Sequence, residues 1–167
     1  FQGSILDQTA ILEAMEGCDY VIHLAAVLGV SNSTQNALEC LDVNILGTRN
    51  VLECAVKSKV KKVLFTSSSE VYGEPRVVPI TETASLAPKS EYGVSKVVGE
   101  EFCRAYWQRF GLPFSIVRFF NVYGERQRDE QGERNAVSHS RLPWSPPPGR
   151  RGRRVGALAS SGTAGSM

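Results

Sequence analysis

Three short apolar segments separated by two long helical patterns constrain the fold of this chain more than any other feature. Residues 19–26, 62–67 and 114–119 are largely apolar, which is typical of strands that helices cover on both faces. Between them, residues 34–58 and 90–110 repeat apolar side chains every three or four positions, as amphipathic helices do. Because parallel strands need helical crossovers, this alternation predicts an α/β fold with a parallel sheet.

Local signals place the helix ends and one long loop. Thr9 is the predicted cap of a short helix over residues 10–16, and Ser90 is the predicted cap of the second long helix. Residues 73–89 contain several prolines, so we expect a functional loop there rather than regular structure.

The composition indicates a soluble globular domain. A hydrophobic fraction of 42% and a charged fraction of 22% are ordinary for such proteins, and 167 residues suffice for one domain with a sizeable core. No apolar run approaches the roughly 20 residues of a membrane span and no signal segment opens the chain, so we expect a cytoplasmic protein without a membrane partner. The cysteines form no CxxC pair, which favours buried reduced thiols over a metal site or disulfides; they are Cys18, Cys40, Cys54 and Cys103.

The charges are distributed unevenly, and the difference marks a boundary. All 17 acidic residues lie before residue 135, whereas the segment from 135 to the end is rich in Arg, Pro, Gly and Ser. A segment of this composition buries too little apolar surface to fold. We therefore predict a folded domain over residues 1–128 and a basic, disordered tail over residues 129–167. The basic charge alone does not argue for a nucleic-acid partner, and none is expected.

One helix and one strand end carry the residue types of a proton-transfer site. Tyr92 and Lys96 are four residues apart and share a face of the second long helix. A phenol has a pKa of about 10, and a neighbouring ammonium favours its ionised form, so we expect Lys96 to lower the pKa of Tyr92. A row of hydroxyls at residues 66–69 ends the second apolar segment and precedes Glu70. Such a set suits a site where an alcohol loses a proton while a hydride leaves for an acceptor.

Five motifs, in order, resemble those of one enzyme family. They are VIHLAA (residues 21–26), NILGT (44–48), SSSEVYG (67–73), YGVSK (92–96) and RFFNVYG (118–124). On these motifs the chain resembles the extended short-chain dehydrogenase/reductases, the NAD-dependent nucleotide-sugar epimerases, dehydratases and decarboxylases. The resemblance implies NAD as the cofactor. It also implies that residues 1–128 form a partial Rossmann-like domain with a doubly wound parallel sheet.

The resemblance assigns the proton-transfer roles by position. It implies Tyr92 as the active-site base and Lys96 as its partner and as a ligand of the nicotinamide ribose. It implies Ser68 as the catalytic hydroxyl, chosen over the adjacent serines by the register of the Val-Tyr-Gly that follows. Asn121 corresponds to the asparagine that contacts the diphosphate of a nucleotide-sugar substrate. Ser68 is also implied to contact this substrate.

Further residues are implied to bind the cofactor. The set comprises Leu24, Ala25, Ala26, Asn44, Thr66, Tyr92, Lys96 and Phe119. Without the resemblance, residues 24–26 would be ordinary strand packing, and Asn44 would face solvent or bond to the backbone. Both interpretations stay open at this point. His23 is interpreted as structural, because a lone buried histidine is seldom catalytic.

Glu70 bears on the reaction type. The resemblance implies an acidic residue at this position in nucleotide-sugar 4,6-dehydratases and uronate decarboxylases, so Glu70 is a candidate catalytic residue. Epimerases also carry glutamate here, and a simpler interpretation is a carboxylate that orients the loop backbone. We place NAD-dependent nucleotide-sugar epimerase first, acting by transient oxidation and re-reduction at the sugar C4. A 4,6-dehydratase or a uronate decarboxylase is the alternative.

Some features of the family have no counterpart in the sequence. The GxxGxxG turn whose helix receives the pyrophosphate is absent, and so is the substrate domain that would follow. We therefore expect weak or no NAD binding by this chain, and a non-catalytic Rossmann fragment is the alternative of another class. The resemblance also implies a homodimer that pairs the two long helices.

Overall fold

The computed structural model describes residues 2–27, 34–122 and 155–158. Helices and strands alternate along these residues. The helices are α1 (Gln8–Met15), α2 (Thr34–Lys57) and α3 (Glu91–Phe110); the strands are β1 (Tyr20–His23), β2 (Lys62–Ser68), β3 (Phe114–Phe119) and β4 (Val155–Leu158). A 3₁₀ turn, Ser69–Tyr72, follows β2 directly.

The strands form a parallel sheet in the order β3-β2-β1-β4. Tyr20 pairs with Lys62 between β1 and β2, and Ser68 pairs with Phe119 at the far end of the β2–β3 ladder. The predicted α/β fold with parallel strands is confirmed. This register brings the carboxyl ends of the strands, and the loops after them, to one edge of the sheet, where α/β proteins bind their ligands.

In the described residues, the helices cover one face of the sheet. Along β1, Val21 and His23 are buried, whereas Tyr20 and Ile22 are only partly buried. The buried face packs into a core that α1, α2 and α3 share, with members that include Ile11, Met15, Val51, Leu52, Phe65 and Cys103. All three described helices therefore contribute to one core against the sheet, as the predicted Rossmann-like fold requires of its helices.

The two predicted helix caps have different outcomes. Asp7 caps α1 in place of Thr9, because its carboxylate accepts from the backbone N–H groups of Thr9 and Ala10 at 2.8 and 3.2 Å. The helix begins earlier as a result, with two of its unpaired N–H groups satisfied. Ser90 caps α3 as predicted, and its Oγ accepts from the backbone N–H of Gly93 at 3.0 Å.

Helix α3 lies very close to strand β2. A Cβ atom on Gly99 would lie 2.3 Å from the Cζ atom of Phe65, so a larger residue would push the helix away from the sheet. This approach lets Lys96, one turn earlier on α3, reach the backbone carbonyl of Thr66 on β2 at 2.8 Å. A packing feature of the core therefore sets the position of a predicted site residue.

The predicted disordered tail contains one strand. Val155–Leu158 forms β4 and pairs in parallel with β1, from Tyr20 with Val155 to His23 with Leu158. The structure departs from the prediction here because the backbone of a strand at the edge of a sheet can pair with another segment, as β1 does with β4. The other residues of the predicted tail, and the predicted boundary at residue 128, lie outside the described residues.

The described residues offer neither a membrane span nor a metal site. Among the helices that the structure describes, none is both long and apolar enough to cross a membrane. Within the same residues, no group of three or more His, Cys, Asp or Glu side chains is arranged to hold a metal ion. Among the described residues the four cysteines form no disulfide; Cys40, Cys54 and Cys103 are buried as predicted, whereas Cys18 is only partly buried.

Candidate active site

A cavity of about 430 Å³ opens at the carboxyl ends of β1, β2 and β3. We call it the strand-end cavity. It brings together most of the residues that the sequence singles out, since its lining includes Leu24, Thr66, Ser68, Glu70, Tyr92, Lys96, Phe119 and Asn121. Phe120 and Val122, which the sequence did not indicate, line it as well.

Ser68 stands where strand β2 turns into the 3₁₀ turn. Its backbone is extended, and its Oγ accepts a hydrogen bond from the backbone N–H of Glu70 at 3.2 Å. A serine hydroxyl that accepts one bond can still donate its own proton. The turn therefore presents Ser68 to the cavity as a donor.

A backbone carbonyl of strand β2 fixes the position of Lys96. It is buried, and its Nζ donates to the backbone carbonyl of Thr66 at 2.8 Å. The same Nζ lies 5.3 Å from the ring centres of Phe65 and of Tyr92. Thr66 is fixed in turn, because its Oγ1 donates to the carbonyl of His23 at 2.8 Å. The ammonium thus sits under the Tyr92 ring on a rigid support.

The ionisation of Tyr92 differs from the sequence expectation. Burial raises the pKa of the Tyr92 phenol, and the nearby Glu70 carboxylate and Cys40 thiol raise it further. Burial also lowers the pKa of Lys96, to about 8. The expected net lowering of the Tyr92 pKa is therefore wrong. The physical reason is that burial disfavours the charged phenolate, while the Lys96 ammonium is directed at the carbonyl of Thr66.

Asn44 is buried and bonds to the backbone. Its Oδ1 accepts from the backbone N–H of Val27 at 2.7 Å, while its Nδ2 donates to the carbonyl of Val27 at 2.9 Å and to Ser95 Oγ at 3.0 Å. Ser95 Oγ donates to the carbonyl of Tyr92 at 2.7 Å. Asn44 therefore connects the chain after β1 with the first turns of α3, and it does so from outside the cavity lining.

Some of the predicted residues at the carboxyl ends of β1 and β3 line the cavity, and others do not. Leu24 and Phe119 line the cavity and are nearly half-exposed, at 47% and 43%. Asn121 lines it too and is exposed. By contrast, the Ala25 side chain is buried in the core, and Ala26 does not line the cavity. The side chains of these two alanines do not support the predicted cofactor contacts.

Glu70 faces the cavity but is bonded to helix α3. Its Oε2 accepts a hydrogen bond from Ser90 Oγ at 2.5 Å, and Ser90 is the cap of α3. The turn that carries Glu70 is also fixed by a bond from the N–H of Gly73 to the carbonyl of Glu70 at 3.2 Å. This is the arrangement of the simpler interpretation, in which the carboxylate orients the loop.

A buried ionic cluster below the cavity was not apparent from the sequence. Glu100 on α3 is fully buried, and it accepts from Arg118 Nε and Nη2 at 2.8 and 2.7 Å and from Ser67 Oγ at 2.7 Å. Arg118 Nη1 also donates to Tyr72 Oη at 2.9 Å. Burial opposes ionisation of Glu100, but the bonds from Arg118 and Ser67 outweigh it and lower its pKa. One signal was available, because Tyr92, Lys96 and Glu100 repeat every four residues and so share a helix face.

His23 lies in the core behind the cavity. Its Nε2 is 3.0 Å from Thr48 Oγ1, and its buried Nδ1 has no hydrogen-bond partner among the described residues. Burial, with the charge of Lys96, lowers the pKa of His23 to about 3. The side chain is neutral near pH 7, and it does not line the cavity.

Comparison with known proteins places these features in a family. The chain matches the sequence model of the NAD dependent epimerase/dehydratase family over residues 1–141. It is 41% identical over 132 residues to the UDP-N-acetyl-alpha-D-glucosaminuronate decarboxylase of Bacillus cytotoxicus, covering 75% of this chain and 40% of that protein. It is 35% identical over 132 residues to the dTDP-D-glucose 4,6-dehydratase of Mus musculus, covering 78% of this chain and 37% of that protein.

A solved structure agrees with both the fold and the family. The UDP-glucuronic acid 4-epimerase of Bacillus cereus, in complex with UDP-glucuronic acid and NAD, superposes with a TM-score of 0.69 at 36% identity, covering 75% of this chain and 40% of that chain. The present chain spans about two fifths of the length of the relatives it matches.

Proposed function

Since this chain belongs to the NAD-dependent epimerase/dehydratase family, we propose that its strand-end cavity is the proton-transfer part of a nucleotide-sugar 4-epimerase. One observation carries the proposal. The cavity collects Ser68, Tyr92 and Lys96, a hydroxyl, a phenol and an ammonium, at the carboxyl ends of parallel strands. These groups are suited to moving one proton on and off a sugar hydroxyl.

The chemistry follows from what each group can donate or accept. Tyr92, once ionised, takes the proton from the hydroxyl at the sugar C4, and Ser68 donates to that oxygen and holds it in place. The Lys96 ammonium, 5.3 Å from the centre of the Tyr92 ring, opposes the rise in the phenol pKa that burial causes. NAD, when bound, supplies the acceptor for the hydride. After the sugar turns over, the same proton returns from Tyr92.

The residues present fit one half of the dinucleotide. An ammonium has three donors, and the carbonyl of Thr66 takes one from Lys96, which leaves donors for the hydroxyls of a ribose. Leu24 and Phe119 provide apolar walls for a nicotinamide ring. In the part of the chain that the structure describes, no glycine-rich turn follows a strand to receive the pyrophosphate, so the fit is limited to the nicotinamide riboside end.

One observation in this chain favours an epimerase over the other reactions of the family, and a similar structure named a 4-epimerase is in complex with UDP-glucuronic acid and NAD. In this chain the Glu70 carboxylate is hydrogen-bonded to Ser90, which occupies one of the oxygens that water elimination or decarboxylation would use. Asn121 lines the cavity and is exposed, so its amide is accessible to the diphosphate of a nucleotide sugar.

The test is to incubate the chain with millimolar NAD and either UDP-glucose or UDP-glucuronic acid, and to detect inversion at the sugar C4 by NMR. We expect inversion, and we expect Tyr92→Phe to slow it at least about a hundredfold, because the base is removed. Tyr106→Phe is the matched control, since it makes the same change on the same helix away from the cavity lining. Equal rates for the two variants would contradict the proposal.

A second candidate reaction rests on Glu70, because a carboxylate that lines the cavity is a group that elimination can use. A 4,6-dehydratase would release a 4-keto-6-deoxy sugar, and a decarboxylase would release carbon dioxide from a uronic acid. Mass spectrometry of the nucleotide-sugar products distinguishes both from an epimer, whose mass is unchanged. Accumulation of either product would replace the epimerase proposal.

The alternative of another class is a fragment without catalysis. It rests on the described residues, in which no glycine-rich turn follows a strand, and calorimetric titration with NAD separates the two classes. We expect weak binding that Lys96→Met abolishes, because the ribose ligand is lost. Micromolar or tighter binding would contradict this expectation, and heat that Lys96→Met leaves unchanged would contradict the assigned site.

A homodimer through α2 and α3 is part of the proposal. Several apolar side chains on these helices are exposed, with Leu38 at 60%, Leu46 at 49% and Trp107 at 55%. Exposed apolar clusters of this kind are often protein contacts. Sedimentation of the chain should give twice the monomer mass, and Leu38→Glu should shift it to the monomer; a monomer at all concentrations would contradict the dimer.

A further inference from the structure

A short series of hydrogen bonds connects the candidate hydroxyl with the helix of the candidate base. Ser68 Oγ accepts from the backbone N–H of Glu70 at 3.2 Å, and Glu70 Oε2 accepts from Ser90 Oγ at 2.5 Å. Ser90 Oγ in turn accepts from the backbone N–H of Gly93 at 3.0 Å. Glu70 is the only member of this series that belongs to the strand-end turn and reaches the helix by its side chain.

The turn and the helix are also packed against each other without space to spare. Gly93 is buried in the first turn of α3, and a Cβ atom there would lie 2.9 Å from the Glu70 carbonyl oxygen and 3.2 Å from Ser90 Oγ. The backbone approach and the carboxylate bond are independent features of the same contact. Both fix the separation between the Ser68 turn and the helix that carries Tyr92.

We propose that Glu70 is a positioning residue, which ties the Ser68 turn to the first turn of α3 and so sets where Ser68 and Tyr92 stand relative to each other. The proposal rests on the proposed function in taking Tyr92 as the base. It assigns Glu70 a role other than acid or base on the sugar. The bond to Ser90 is the reason, because a carboxylate that accepts from the helix cap is restrained toward the helix.

The position of Glu70 has an electrostatic consequence for the base. Among the described residues, the charged or titratable groups that face Tyr92 are Glu70 from the 3₁₀ turn, Cys40 from α2 and Lys96 from α3 itself. A negative charge near a phenol disfavours its ionised form, so Glu70 raises the pKa of Tyr92, after burial. A carboxylate at position 70 therefore changes the pH at which Tyr92 ionises, whereas an amide at the same position would not.

The first experiment uses the full chain and needs no substrate. Ionisation of Tyr92 is followed by the ultraviolet absorbance of tyrosinate against pH, with Tyr92→Phe as the blank that removes the other tyrosines. We expect Glu70→Gln to shift the Tyr92 transition to lower pH, because the charge is gone while the amide oxygen still accepts from Ser90. An unchanged transition would overturn the proposal.

Glu74→Gln is the matched control for the titration. Glu74 is a second exposed carboxylate just beyond the same turn, and it pairs with Lys89 at 2.7 Å rather than with Ser90. We expect this variant to leave the Tyr92 transition where it is. An equal shift in both variants would mean that overall charge, and not the Glu70 position, controls Tyr92, and would overturn the proposal.

The second experiment compares turnover of UDP-glucose by Glu70→Gln and Glu70→Ala. A positioning role predicts that Glu70→Ala loses at least fivefold more kcat than Glu70→Gln, with the optimum of Glu70→Gln shifted to lower pH. A role as acid or base predicts equal losses, since neither side chain transfers a proton, and that result overturns the proposal. If the native chain turns over no nucleotide sugar, the proposed function fails, while the titration of Tyr92 still tests whether Glu70 is held beside the Tyr92 phenol.

Discussion

Two carboxylates at helix α3 are in opposite surroundings. One belongs to the buried middle of the helix, and the other is hydrogen-bonded to its exposed beginning. Glu100 is fully buried and is hydrogen-bonded by Arg118 and Ser67. Glu70 is exposed and reaches the helix from the neighbouring turn through Ser90. Both contacts lie next to the strand-end cavity, but they hold their surroundings by different physical means.

Burial decides which effect dominates in each place. A charge removed from water is costly, so the inner pair of Glu100 and Arg118 is held together by the penalty of separating it. An exposed carboxylate keeps its hydration, so the outer contact contributes geometry and a small free energy. We therefore expect the inner pair to control the stability of the site and the outer contact to control its chemistry.

The inner pair provides the largest expected effect. Arg118→Met should lower the free energy of unfolding by about 3–5 kcal/mol, because Glu100 would stay buried and lose the cation that binds both of its oxygens. Arg104→Met is the control, since Arg104 also bonds to Glu100 but is 40% exposed, and we expect it to lose less than about 1 kcal/mol. Urea unfolding at neutral pH measures both, and equal losses would remove the distinction between buried and exposed contacts.

Acid should weaken the buried side of the site through His23. Its pKa is about 3 in the folded chain and about 6.5 when unfolded, so the unfolded chain binds the extra proton as the pH falls below 6.5. The free energy of unfolding should fall by on the order of 2–3 kcal/mol from this group between pH 6.5 and 4.5. Urea unfolding across this range measures it against His23→Leu, which cannot titrate. If both proteins lose the same amount, His23 is not the cause.

Ser67 provides the hydrogen bond of the inner cluster that comes from an uncharged donor. Ser67→Ala removes one of the bonds to Glu100 and should lower the free energy of unfolding by about 1.5 kcal/mol, a typical value for a hydrogen bond to a charged group. Ser69→Ala, two residues later in the 3₁₀ turn, is the control, with less than about 0.5 kcal/mol expected. Urea unfolding compares the two variants. A loss for Ser67→Ala no larger than that for Ser69→Ala would show that the hydrogen bond from Ser67 to Glu100 adds no stability.

The sequence predicted the parts of this site that depend on local order. Helix periodicity placed Tyr92 and Lys96 on one face of α3, and the apolar run of β2 placed Ser68 at a strand end. The cap of α3 followed from the residue type of Ser90. Each of these inferences uses neighbours within about one turn or one strand, and the motif order supplied the rest.

The partners that come from distant parts of the chain could not be predicted in the same way. Glu100 and Arg118 are 18 residues apart and meet only because α3 packs on β2 and β3. The rise in the Tyr92 pKa depends on burial, which periodicity does not measure. The pairing of β4 with β1 depends on a free strand edge, a property of the assembled sheet and not of the segment.

The outer contact provides the smallest expected effect and the sharpest test of the comparison. Ser90→Ala removes both the cap of α3 and the donor to Glu70, and should lower the free energy of unfolding by about 1 kcal/mol. Ser90→Gly should cost only a few tenths of a kcal/mol if capping is the whole contribution, because glycine is tolerated at this position. Urea unfolding separates the two variants. A loss in Ser90→Gly as large as in Ser90→Ala would mean that the bond to Glu70 contributes stability of its own, and the exposed carboxylate would then resemble the buried one more closely than its exposure suggests.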